Sequence, residues 1–173
     1  IQCLAAKGKQ KEVVRNSSSA GIFYLLAEKI IQKKGVVFGA RFNEVWDVVH
    51  SWTDTIEGIK PSMSSKYVQS QIGNSYSQAE AFLKDGREVL FTGTPCQIAG
   101  LRRYLRKEYE NLLCVDVICH GSPSPGVWRE YLKYEISPKG RKNTVSSSIY
   151  SSLSERDALQ IKGISFRDKR LGW

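Results

Sequence analysis

Residues 88–97 read Glu88-Val89-Leu90-Phe91-Thr92-Gly93-Thr94-Pro95-Cys96-Gln97. Val89, Leu90 and Phe91 form a continuous apolar run, the pattern of a strand buried on both faces. Thr92 and Gly93 punctuate it. Thr94-Pro95-Cys96-Gln97 then opens a helix, with threonine as N-cap, proline at the first helical position and glutamine at N3 for a capping box. Cys96 falls at the second helical position, where unpaired backbone N–H groups and the helix dipole favour negative charge. A thiol there is biased toward thiolate, the form that attacks electrophiles and binds metals. The plainer reading is a small buried cysteine at a strand–helix turn; the spacing favours a functional one.

Working outward, the helix after Cys96 carries Ile98, Leu101 and Leu105 on one face and Arg102, Arg103, Arg106 and Lys107 on the other. That basic stripe reads as a solvent face. Leu112 to Ile118 is the next strand, and the helix between implies a right-handed parallel crossover from the strand at 88–93. The second strand, with its end spanning 112–119, runs into Cys119-His120-Gly121. Two parallel neighbours end on the same edge of the sheet, where ligands of open α/β sheets bind. Cys96 and the pair Cys119-His120 are therefore expected to converge. Cys114 lies inside its strand and reads as packing, and Cys3 sits in a polar tail. Zinc is disfavoured, because structural zinc sites show paired ligands at short spacing. A nucleophile pair, with Cys96 attacking and His120 taking the proton, fits thiol catalysis. Two thiolates also fit part of an iron–sulfur site, which needs two more ligands. Spacing alone does not choose between these.

Upstream, the first fifteen residues are polar and lysine-rich, with Glu12-Val13-Val14 as a short edge strand. Ser17-Ser18-Ser19-Ala20-Gly21 precedes a helix with apolar Ile22, Leu26 and Ile30 at spacing four, and the serines read as its cap or as a phosphate site. Gly35 ends that helix. Val36 to Phe42 and Val45 to Trp52 read as an antiparallel hairpin turning at Asn43-Glu44. Pro61 to Ser65 is a loop leading into Lys66-Tyr67-Val68-Gln69-Ser70, the start of a strand. Ser77-Gln78-Ala79-Glu80 reads as a capping box for a helix that stops at Asp85-Gly86. Downstream, Ser124 caps a helix with Pro125 at its first position and Val127, Trp128, Tyr131 and Leu132 along it. Residues 141–160 are serine-rich and charged and read as a loop, and Ile164 to Asp168 as one more strand. The fold class expected is α/β: a mixed sheet with helical crossovers, a parallel pair around 88–93 and 112–119, and an antiparallel hairpin near 36–52.

The 173 residues suffice for one domain with a real core. A hydrophobic content of 41% with 25% charged residues is that of a soluble globular chain. No apolar run approaches the ~20 residues of a membrane span, and no signal segment is visible. Four cysteines without a C-x-x-C pair suggest reduced thiols and a cytoplasmic protein. The net charge of +9 attracts polyanions such as phosphorylated cofactors or acidic proteins. Basic motifs interleaved with aromatics are lacking, so nucleic acid is not the expected partner, and a non-catalytic basic binding module ranks last. Beginning at Ile1 and ending at Gly172-Trp173 after an unfinished strand, the sequence is expected to be a fragment.

Several segments together carry a family resemblance. They are Ser18-Ser19-Ala20-Gly21; Ser65 to Ser70; Leu90 to Leu101; Asp116-Val117-Ile118-Cys119-His120-Gly121 with Ser122 to Pro125; and Phe166 to Lys169. In this order they resemble the coenzyme F420 hydrogenase/dehydrogenase beta-subunit family, from about Arg15 to the end. The resemblance implies a flavin-dependent oxidoreductase that binds FAD and 4Fe-4S clusters. It passes electrons between clusters and a hydride-accepting substrate, such as the deazaflavin coenzyme F420 or another acceptor. A redox partner protein or a ferredoxin-like segment is implied as well. Carried over, Ser18, Ser19, Gly21, Ser65, Lys66, Tyr67, Ser70, Thr92, Gly93, Thr94, Pro95 and His120 become candidate FAD contacts. Cys96 and Cys119 become candidate metal ligands or groups lining the flavin. Residues 1–74 would be the family's N-terminal region and 75–173 the truncated start of its C-terminal region. The family commonly has Ser-Gly-Gly where Ala20 precedes Gly21 here, and Val-Pro where Ser122-Pro123 follows the Cys-His-Gly. Ferredoxin-type cysteine runs are absent, so any complete cluster is expected to be held mainly by residues outside this sequence.

Overall fold

The computed structural model describes residues 3–133, so the expected loop at 141–160 and strand Ile164–Asp168 lie outside the described residues. Four strands form one sheet in the order β2-β1-β3-β4. β1 (Val36–Phe42) pairs antiparallel with β2 (Val48–Thr53), and parallel with β3 (Val89–Gly93), which pairs parallel with β4 (Leu112–Asp116). The mixed sheet, the hairpin and the parallel pair are those expected from the sequence.

Helices cover both faces. Val36, Phe38, Val89 and Phe91 point to one side, into a core closed by Ala79 and Leu83 of α4 (Ser75–Lys84) and Ile98, Leu101 and Leu105 of α5 (Pro95–Leu105). The alternating Val37 and Leu90 point to the other, against Ala27 and Ile30 of α2 (Ile22–Gln32) and Ile59 of α3 (Ile56–Ile59). Val89, Leu90 and Phe91 are fully buried, as a strand between two helical layers must be. Fully burying one such side chain contributes about 1.5–3 kcal/mol. A third cluster joins Val48 and Val68 to Trp128 and Leu132, so α6 (Pro125–Tyr131) packs on the turn end of the hairpin, with Trp128 Nε1 donating to Trp46 O at 2.7 Å.

Local expectations fail in six places. Glu12-Val13-Val14 is not a strand; it lies in α1 (Lys11–Arg15), a single turn that seats Val13 against Gly21. The serines do not cap α2. The chain enters that helix through Ala20 (φ 57°) and Gly21 (φ 81°), both left-handed, and Gly21 is the N-cap with no side-chain bond. The hairpin turn runs through Asp47 rather than Glu44, because Asn43 Oδ1 accepts from both Val45 N and Asp47 N and wraps the chain around itself. Helix α4 starts at Ser75, two residues before the expected box; Ser77 Oγ donates to Asn74 O instead of capping. The earlier start lets Ser75 Oγ donate to His50 O and Tyr76 Oη donate to Gln97 O. Finally, residues 65–70 form no strand, with one bridge at Gln71 to Val49, and β4 stops at Asp116. Gly93 is the last residue of β3 able to pair, and Val117 N on Gly93 O at 2.9 Å is the final rung.

Candidate functional site

The strand–turn–helix at β3–α5 is built as its sequence dictates. Thr94 is the N-cap, Pro95 stands at N1, and Gln97 at N3 accepts from Thr94 N at 3.0 Å, closing the capping box. Cys96 is exposed at the second position, its Sγ 3.1 Å from Thr94 Oγ1. The bland expectation of a buried cysteine does not describe it. Cys114, by contrast, lies half-buried against the α5 core; burial pushes its thiol pKa up, with Arg102 pulling the other way.

Gln97 extends the turn into the protein. Its Nε2 donates to Ser70 Oγ at 2.9 Å, and Ser70 Oγ meets His50 Nδ1 at 2.8 Å. His50 Nε2 lies 2.8 Å from Thr92 O, and the ring stacks on Phe91 at 5.3 Å. Thr92 O only accepts, so Nε2 carries the proton and donates. Burial pushes His50 below its ordinary value of 6.5, leaving Nδ1 as the acceptor of the Ser70 hydroxyl proton. Every donor in this chain thus meets an acceptor, as a buried network requires.

Segment 65–70 is hydrogen-bonded to residues of three of the sequence-predicted stretches. Ser18 Oγ accepts from Ser65 N at 2.9 Å and Ser18 N donates to Met63 O at 3.0 Å, which brings together two motifs 47 positions apart. Ser70 holds Gln97, next to Cys96. Gln69 N donates to Pro123 O at 3.1 Å, drawing in the segment that follows Cys119 and His120. Cys119 Sγ accepts from Gly121 N at 3.5 Å, and both Cys119 and His120 are exposed beyond the end of β4. Cys96 and Cys119 therefore follow the carboxyl ends of neighbouring parallel strands. Among the described residues no hydrogen bond joins Cys96 to His120. Lys66 Nζ donates to Pro61 O and, at 2.8 Å, to Ser64 O, so it holds its own loop together. Tyr67 projects from the segment, 55% exposed.

Beside the Ser18–Gly21 turn, the first residues of the described chain form a cleft of about 860 Å³ lined by Lys7, Lys9, Lys11 and Arg15, with Glu12 as its one acid. Gly8 N donates to Ala20 O at 2.9 Å and fixes this cleft on the turn.

Residues 86–147 match a family model that describes the C terminus of the coenzyme F420 hydrogenase/dehydrogenase beta subunit. That match supports the resemblance to the coenzyme F420 hydrogenase/dehydrogenase beta-subunit family over these residues. A chain of the F420-reducing [NiFe] hydrogenase complex from Methanosarcina barkeri shares the fold, with a TM-score of 0.60 at 18% identity over 77% of this chain and 49% of that one. The chain thus spans about half the length of that neighbour. No curated protein matches the chain.

The family associates this fold with redox cofactors, and the residues fit the two expected ones differently. The cationic cleft and the adjoining Ser17 Oγ, buried without a partner, suit an anionic, phosphate-bearing group. A cluster fits less well. Among the described residues no group of three or more His, Cys, Asp or Glu side chains is placed to hold a metal ion. Among the described residues, too, no helix is long and apolar enough to cross a membrane.

Sequence reasoning missed His50 and the part played by Gln97 beyond the cap. His50 alternates into the core side of β2 as an apolar residue would. Only a polar residue at an inward strand position hinted at it.

Proposed function

We propose that the chain is part of an FAD-dependent oxidoreductase that passes electrons between iron–sulfur clusters and a hydride-accepting substrate, coenzyme F420 or another acceptor. One observation carries this: the resembling segments around Ser18, Cys96 and Cys119 are all hydrogen-bonded to residues 65–70, and the latter two follow the ends of β3 and β4. Ligands of α/β sheets bind outside the strand ends, where β3 and β4 stop. Bound FAD would supply interconversion of two-electron and one-electron transfer.

The chain's own residues would bind and orient it. The cations of the cleft hold phosphates by charge, and the Thr92 to Pro95 turn, Tyr67 and His120 set the ring's surroundings. Cys96 and Cys119 serve as ring-lining groups or as two ligands of a 4Fe-4S cluster completed mainly by residues beyond those described. The redox partner protein and the division at residue 75 belong to the same reading. Its test is purification of the full chain without oxygen, with iron and FAD supplied. Bound flavin absorbing in the visible, together with bound iron, is the expected outcome. Absence of both rejects the proposal.

A further inference from the structure

We propose that neutral His50 is a positioning residue for the first turn of α5, and that protonating it releases that turn. The connection is a directed series of hydrogen bonds. His50 Nε2–H donates to Thr92 O at 2.8 Å; the Ser70 hydroxyl donates to His50 Nδ1 at 2.8 Å; Gln97 Nε2 donates to Ser70 Oγ at 2.9 Å; Thr94 N donates to Gln97 Oε1 at 3.0 Å. Each direction follows from the one before it. A proton taken from solvent onto Nδ1 turns that atom from acceptor to donor, so Ser70 must surrender its donation and rotate. Oγ then accepts from both Nδ1 and Gln97 Nε2 while its proton turns to a third direction, and Gln97 Nε2, which also donates to Ser70 O at 3.2 Å, shifts toward that carbonyl. That shift turns the amide whose other end caps Thr94. Gly93 leaves little slack, since a Cβ there would lie 3.0 Å from Gln97 Oε1 and 3.6 Å from His50 Nε2.

Few other charges face the ring. Burial is the leading cause of the shift at His50, the Thr92 bond opposes it, and no charged side chain contributes. On α4, Tyr76 donates to Gln97 O at 2.8 Å, and burial pushes its ionisation upward. On α5 the nearby titratable group is the Cys96 thiol. On the 65–70 segment, Lys66 is held on the carbonyls of Pro61 and Ser64. On β1, Arg41 bonds Ser51 Oγ on the opposite face of the sheet from His50. The coupling stands on the hydrogen bonds alone and does not depend on what binds at the rim.

The test is an NMR titration of the full chain, without flavin or iron, from about pH 7.5 to about pH 5. The Thr94 backbone amide and the Gln97 side-chain amide should titrate with the midpoint of the His50 ring. Thr94 hydrogen exchange, corrected for its intrinsic pH dependence, should rise about tenfold or more across the transition. In His50→Gln, which keeps a donor for Thr92 but cannot titrate, both responses should vanish. In Ser70→Ala the ring should still titrate while Thr94 stays silent. A wild-type ring that titrates without moving Thr94 and Gln97 overturns the proposal, as does a ring that stays neutral until the chain unfolds. Titration of Thr94 surviving in either variant overturns it as well.

Discussion

At the scale of single residues, His50 sets a pH dependence whose sign follows from its burial. The folded state holds it below its ordinary 6.5, whereas the unfolded chain protonates it there. Its contribution to stability is therefore complete above about pH 6.5 and is lost as the pH falls from there through the lowered folded-state value. Within that window stability should fall by up to about 1.4 kcal/mol per pH unit, and below it no further. Urea unfolding at a series of pH values measures this; His50→Gln should flatten the slope. Nothing in the local sequence announces the effect. The partners of His50 are 20 and 42 positions away, and a histidine in an alternating strand has no local feature that says which face it takes. Cys96 is the opposite case, because its place at the second helical position follows from Thr94, Pro95 and Gln97 beside it.

At the scale of elements, backbone conformation separates two small residues. Ala20 is left-handed at φ 57° where the resembling family commonly has glycine. An L side chain is strained there by roughly 1–2 kcal/mol, so Ala20→Gly should stabilise the chain by about 1 kcal/mol, less the entropy that glycine adds to the unfolded state. A rise in urea midpoint at constant slope is the expected result. Gly35 is required for a different reason. A Cβ there would fall 2.5 Å from Ile30 Cγ2 and 2.6 Å from Glu88 O, where the end of α2 meets the strand into β3. Gly35→Ala should therefore cost about 1–3 kcal/mol through overpacking, measured the same way. Elements specified by adjacent residues were legible: the 89–91 strand, the α5 capping box, and Ser124 accepting from Val127 N on α6. Where a distant contact decides, local signals misled. The Ser77 box yielded to an earlier start that satisfies His50 and Gln97, and Val13 turned helical to cover Gly21.

At the scale of the whole molecule, the sheet order places β3 and β4 side by side, and hydrogen bonds tie the Ser18, Cys96 and Cys119 segments to residues 65–70. The α/β class and the placement of the two cysteine-bearing segments after neighbouring parallel strands were readable from two apolar runs with a helix between them. The role of residues 65–70 was not, because a segment without periodicity does not declare what it ties together. The central claim is that these segments form one flavin-binding rim. Equilibrium titration of FAD into the full chain, followed by flavin fluorescence, tests it most directly. Tyr67 and His120 are exposed and lie on different segments, so Tyr67→Ala and His120→Ala should leave the fold intact by circular dichroism. Saturable binding to the wild-type chain is expected, weakened about tenfold or more, or about 1.4 kcal/mol, by each substitution. No saturable binding, or an affinity that survives one of the two substitutions unchanged, would contradict it.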